Sequence, residues 1–128
     1  MDKLKYAWAA SGYLGAISSG QTTCGLLIGS TIALGVRHGQ GKNCIPMEDE
    51  EERGKAVKEV NDLYRDFLIQ FSSTDCQTLT TTDFSKPEDQ VRYMEKEIYK
   101  DTCFKFLKFL MKRFFDEEQK RSLLEKKG

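Results

Sequence analysis

Four cysteines, Cys24, Cys44, Cys76 and Cys103, carry the chemistry this 128-residue chain could least easily replace. No two form a CxxC pair, so neither a thioredoxin-type motif nor a zinc ribbon can be written from neighbouring positions. Three of them share a setting. Cys24 follows Thr22-Thr23, either of which suits the N-cap of a helix running to about His38. Cys76 follows Thr74-Asp75 at the start of a short turn, and Cys103 lies on the apolar face near the beginning of the last helix. The positive end of a helix favours thiolate, which is the form that attacks disulfides and binds metals. Gly25 leaves space beside the first sulfur. Three thiols near three helix starts can meet at one end of a bundle. The plain alternative is that they are small apolar core residues. Cys44, in a loop before Pro46 with no spaced partner, reads as incidental.

Other chemistries find little support. There is no GxGxxG, phosphate loop, HExxH or EF-hand pattern. The only histidine, His38, gives little basis for a hydrolytic triad and reads as a partner of a helix C-terminus. No CxxCH is present, which argues against covalent haem. The acidic run Glu48–Glu52 reads as a helix first turn rather than a cation site. Lys105, Lys108, Lys112, Arg113, Lys120 and Arg121 are interleaved with Asp116, Glu117 and Glu118, so they read as a solvated face. Twenty basic residues balance twenty acidic ones, so no general attraction to nucleic acid or anionic lipid is expected.

The elements that must hold the thiols can be read from hydrophobic spacing. Residues 6–36 contain no Asp, Glu, Lys or Arg, whereas charge is dense from Glu48 onward. The helix after Cys24 is apolar on nearly every side and should sit in the middle of a bundle. Gly25, Gly29 and Ala33 fall four apart, which suits close helix packing. Val57, Val60, Leu63, Tyr64, Phe67, Leu68 and Phe71 give the clearest helical period, in a helix reaching about Ser72. Residues 80–87 read as a polar connector, and Pro87 opens a short helix through Tyr93 or Met94. One last helix is expected over Ile98–Glu125, with Cys103, Phe106, Leu107, Leu110, Met111 and Phe114 as its apolar stripe. A further short helix is expected over Asp2–Ala10. No strand of convincing length appears. The expected fold is a single all-α domain over residues 1–128, an irregular bundle of four or five helices around the central glycine-containing helix. Glycines and a polar run within residues 12–36 argue against a membrane span. The start of the chain only loosely imitates a signal peptide. Reduced thiols and a cytoplasmic location follow as the expectation.

The segments quoted also resemble a known family. Thr23-Cys24-Gly25-Leu26-Leu27-Ile28-Gly29 with Ala33-Leu34-Gly35 is similar to the glycine-rich central element of the C_GCAxxG_C_C family of redox-active proteins, to which split-Soret cytochromes look related. Asp75-Cys76-Gln77-Thr78-Leu79 resembles the family's Cys-x-x-Leu element, and Asp101-Thr102-Cys103 its last cysteine element. The likeness runs from about Ala10 to Phe115. It departs from the pattern at the start, since no cysteine precedes Cys24, and Leu26 stands where a small residue is usual. The resemblance implies a helical domain with Cys24, Cys76 and Cys103 as reactive thiols. They would work either by thiol–disulfide exchange with an unidentified redox partner or, together with Gly25, as the site of an iron–sulfur cluster or transition metal. The competing reading is a non-catalytic helical interaction module, a homodimer that buries the small-residue face of Gly25 and Gly29.

Overall fold

A computed structural model of the chain describes Trp8, residues 11–40 and residues 46–127. The expected helix over Asp2–Ala10, Trp8 apart, and the loop holding Cys44 lie outside the described residues. Regular structure among the described residues is helical, save for one isolated backbone bridge. The helices run in the order α1 (Tyr13–Ile17), α2 (Gly25–His38), a 3-10 turn (Pro46–Glu48), α3 (Glu50–Phe71), α4 (Cys76–Thr80), α5 (Pro87–Glu95), α6 (Ile98–Asp101) and α7 (Cys103–Lys127). The all-α class expected from the spacing is what the chain forms. No helix among the described residues is long and apolar enough to cross a membrane.

Helix α2 is the hub, packed against both long helices α3 and α7. Its inward stripe of Leu27 and Leu34, continued by Cys24, meets Leu63 and Phe67 of α3 and Phe106 and Leu110 of α7. Four rings interlock beside this seam, with Phe67 and Phe71 each 4.8–6.1 Å from Phe106 and Phe109. Leu27 and Phe67 are wholly enclosed, and side chains of that size contribute about 1.5–3 kcal/mol each when buried.

The chemistry at the helix ends explains where α3 begins and stops. The Asp49 carboxylate accepts the Glu52 N–H at 3.3 Å, and Glu50, Glu51 and Glu52 complement the positive end. Ser72 ends the helix in the left-handed region (φ 67°), its N–H donating to the Leu68 carbonyl.

Several expectations give way. Helix α2 is apolar all round yet buries only one stripe. Gly29 and Ala33 are exposed, and nothing among the described residues lies within 4 Å of where a Gly29 Cβ would stand. The close approach expected at Gly29 and Ala33 is therefore not made among the described residues. An open apolar groove of about 360 Å³ lies there instead, lined by Gly29 and Ala33 and by Leu107, Met111 and Phe115 of α7. Leu107 and Met111, expected in the α7 core stripe, are about half exposed, while Phe109 packs inward with Phe106 and Leu110. Val57 and Leu68 of the expected α3 stripe are likewise half exposed, because only one face of α3 meets the hub. The polar connector is not a solvated loop, for Thr80 and Thr82 are enclosed. Their hydroxyls donate to the carbonyls of Cys76 (2.7 Å) and Thr80 (2.9 Å). The single last helix is two, since Thr102 breaks it with non-helical torsions (φ −123°, ψ −90°) while its hydroxyl donates back to the Ile98 carbonyl at 2.7 Å.

Candidate functional site

Two extended stretches, residues 22–24 and 74–76, lie side by side as a minimal antiparallel bridge centred on Thr23 and Asp75. The Cys24 N–H donates to the Thr74 carbonyl at 2.7 Å and the Cys76 N–H donates to the Thr22 carbonyl at 2.9 Å. The two hydrogen bonds thereby hold the backbones of residues 24 and 76 on either side of one bridge. This also explains why neither threonine caps α2. Thr22 and Thr23 are spent on the bridge, and Cys24 itself occupies the N-cap with no side-chain capping bond.

Each thiol stands at a helix start. Cys24 is the N-cap of α2, Cys76 the first residue of α4 and Cys103 the first residue of α7. All three are free, Cys24 buried and the other two half-buried. Asp75 fixes the start of α4, its carboxylate accepting the Thr78 N–H and the Thr78 hydroxyl, both at 2.8 Å. The Thr102 break is what makes Cys103 a helix terminus rather than a mid-helix residue.

The three sulfurs feel one another electrostatically. The charge of Cys103 opposes ionisation of both Cys24 and Cys76, and the charge of Cys24 opposes that of Cys76. Burial nevertheless dominates. It pushes the Cys24 thiol up, against the Leu27 and Leu26 N–H groups that favour its thiolate. It pushes Cys76 up to about 11, helped by Cys24 and Cys103 and opposed by the Thr80 hydroxyl. The expectation that helix starts would lower these thiols is thus overturned for Cys24 and Cys76. The dipole acts in the expected sense, but desolvation of the anion is larger.

A wall of rings encloses the site. Phe84 and Tyr93 pack edge to face (4.9 Å), Tyr93 reaches Tyr99 (5.8 Å), and Tyr99 reaches Phe104 (5.2 Å). The Tyr93 hydroxyl donates to the Cys103 sulfur at 3.0 Å. Gly20 supplies the opposite side. Its φ of +74° suits glycine, and a Cβ there would lie 2.7 Å from the Phe84 ring and 3.6 Å from the Cys76 sulfur. Beside Gly25, the end of the Ile17 side chain lies 2.9 Å from where a Cβ would stand, so Ile17 occupies the space left by the missing side chain. Spacing alone did not find Gly20, Phe84 or Tyr93. The available signal was a run of aromatics, Phe84, Tyr93 and Tyr99, in an otherwise polar stretch.

Among the described residues, no three His, Cys, Asp or Glu side chains stand close enough to share a metal ion. Ligation by Cys24, Cys76 and Cys103 together would require them to draw closer than they are here. His38 lies at the far end of α2 and pairs with Glu52 and Glu59.

A family model described as "Putative redox-active protein (C_GCAxxG_C_C)" matches residues 1–116. No curated protein and no solved structure gives a match.

Proposed function

Because the chain belongs to the C_GCAxxG_C_C family, whose description reads "Putative redox-active protein", we propose that Cys24, Cys76 and Cys103 form a thiol–disulfide centre that exchanges two electrons with an external thiol or disulfide. What supports this reading is that three free thiols stand at three helix starts, near enough for the charge of one to act on another. Oxidation joins two protein sulfurs and reduces one external disulfide to two thiols. The enclosed setting keeps Cys24 and Cys76 protonated at neutral pH, which protects them from indiscriminate oxidation. Donor chemistry alone would also suit an iron–sulfur cluster or soft transition metal. The residues as placed do not form such a site, so no step is routed through one.

The test is to treat reduced protein with oxidised glutathione, block remaining thiols with iodoacetamide and map the peptides by mass spectrometry. The expected product is a monomer with one disulfide between two of Cys24, Cys76 and Cys103. Retention of all three thiols, or reaction at Cys44 alone, would contradict the reading. Iron and zinc analysis of anaerobically purified protein checks the metal alternative directly.

A further inference from the structure

We infer that Cys103 is the thiol that attacks the external disulfide, and that the Tyr93 hydroxyl is the group that readies it by hydrogen bonding to its sulfur. This rests on the thiol–disulfide reading above and assigns the order of events within it.

The three sulfurs are not equivalent. Cys24 is buried with only 5 % of its surface exposed, whereas Cys103 is half-buried at the first residue of the 25-residue helix α7. Among the described residues, only Cys103 has a phenol donating to its sulfur, at 3.0 Å. A hydrogen bond to an ionised acceptor is stronger than one to a neutral acceptor, so this contact favours the thiolate. The neighbouring Thr102 hydroxyl is a poor competitor. It stands 3.8 Å from the sulfur and its one proton is committed to the Ile98 carbonyl at 2.7 Å. Tyr93 is itself held as a donor. Burial pushes its phenol up, and the hydrogen bond and charge of Cys103 push it further. Packing between Phe84 and Tyr99 fixes the ring, so the hydroxyl reaches the sulfur without having to be ordered first.

Once Cys103 is ionised, its charge opposes ionisation of the other two thiols. The order of reaction follows. The Cys103 thiolate attacks one sulfur of an external disulfide. A mixed disulfide forms, and the other half leaves as a thiolate that takes a proton from water. With the Cys103 charge now consumed, Cys76 or Cys24 loses its proton to water and attacks the Cys103 sulfur. The second half of the external molecule leaves and is protonated. Two protein thiols have become one disulfide, and one external disulfide has become two thiols.

The test is site-resolved alkylation of reduced native protein with iodoacetamide between pH 6 and 9, for wild type and Tyr93→Phe. Phenylalanine keeps the ring and removes only the donor. Cys103 is expected to react first in wild type. In Tyr93→Phe its rate near pH 7 should fall about tenfold, as loss of a hydrogen bond to a charged sulfur predicts. Earlier reaction of Cys24 or Cys76 in wild type would overturn the inference, as would superposable Cys103 profiles in the two proteins. Trapping gives an independent measure that does not rely on the tyrosine variant. With oxidised glutathione, Cys24→Ala/Cys76→Ala protein should accumulate the mixed disulfide on Cys103, and its absence there would also overturn the assignment. The two proposals fail separately. A tyrosine-dependent Cys103 that never passes its mixed disulfide to a second thiol refutes the disulfide centre alone. A protein disulfide that forms equally fast in Tyr93→Phe refutes the assignment alone.

Discussion

The two ends of α2 solve the problem of a helix terminus in opposite ways. At its start, Cys24 donates a neutral backbone hydrogen bond to the Thr74 carbonyl and is buried at the edge of the apolar core. At its close, Arg37 is buried, its two terminal nitrogens engaged while its Nε finds no hydrogen-bond partner among the described residues. Its guanidinium meets Glu59 at 2.5 Å and Glu118 at 3.1 Å, donates to the Phe114 carbonyl at 3.1 Å, and lies 4.3 Å from the centre of the Phe114 ring. His38 beside it bridges Glu52 and Glu59. The basic pair sits where the helix dipole is negative, so α2, α3 and α7 are locked together by complementary charge. The contrast teaches that the same dipole has different power at the two ends. At the charged end it adds to ion pairs already formed. At the thiol end it is outweighed by the cost of burying an anion, and Cys24 and Cys76 stay protonated until pH rises.

This comparison can be broken at the charged end first. Arg37→Ala should leave Glu59 half-enclosed without its cation and cost roughly 3 kcal/mol or more in urea unfolding. Alkylation of the three thiols in the still-native protein should be unchanged. A change there would show that the two ends are not independent. At the thiol end, Gly20→Ala forces a Cβ into the Phe84 ring at a left-handed backbone position, and should cost about 1–3 kcal/mol. Its signature is faster alkylation of Cys76, which Arg37→Ala must not show.

The pH response should separate the two ends by sign. For Cys76 the folded thiol titrates at about 11 against a reference of 9.0, so the folded state holds its proton more tightly. That contribution is complete below pH 9 and is lost as pH rises to about 11, by roughly 1–2 kcal/mol after allowing for partial exposure. Urea midpoints at pH 9 and 10.5 should fall further for wild type than for Cys76→Ala. At the other end, the His38 hydrogen bond holds the Glu52 carboxyl below its usual range. Its contribution is present above the ordinary glutamate value and is lost as pH falls through the lowered one, a loss Glu52→Gln should abolish. The smallest effect is expected from Asp75→Ala, which removes the cap of the short helix α4 and should cost about 1 kcal/mol.

Much of this was legible in the sequence because it is local. The period of Leu63, Tyr64 and Phe67 marks α3, Asp75 marks the start of α4, and Pro87 marks α5. The candidate thiols stood out through the capping residues before Cys76 and the glycine after Cys24. What was hidden depends on distant contacts. The bridge between Thr23 and Asp75 joins segments some fifty residues apart in sequence and has no strand-like pattern. Arg37 could not be singled out from spacing, since its partners Glu59 and Glu118 lie on two other helices. Tyr93 could be placed on α5, but not its contact with Cys103, which depends on the turn at Glu97 (φ 51°) and the break at Thr102. The burial that governs Cys24 and Cys76 is a tertiary property, so the sign of their shift could not be read from helix position.

The central claim is that the three helix-start thiols act as one centre. Equilibrating the native protein in glutathione buffers of graded potential, quenching with acid and counting each cysteine by peptide mass spectrometry tests it most directly. Two of Cys24, Cys76 and Cys103 should disappear together along a single two-electron curve into one intramolecular disulfide, while the third remains alkylatable. Separate loss of each as its own glutathione adduct, with no protein disulfide at any potential, would contradict the account.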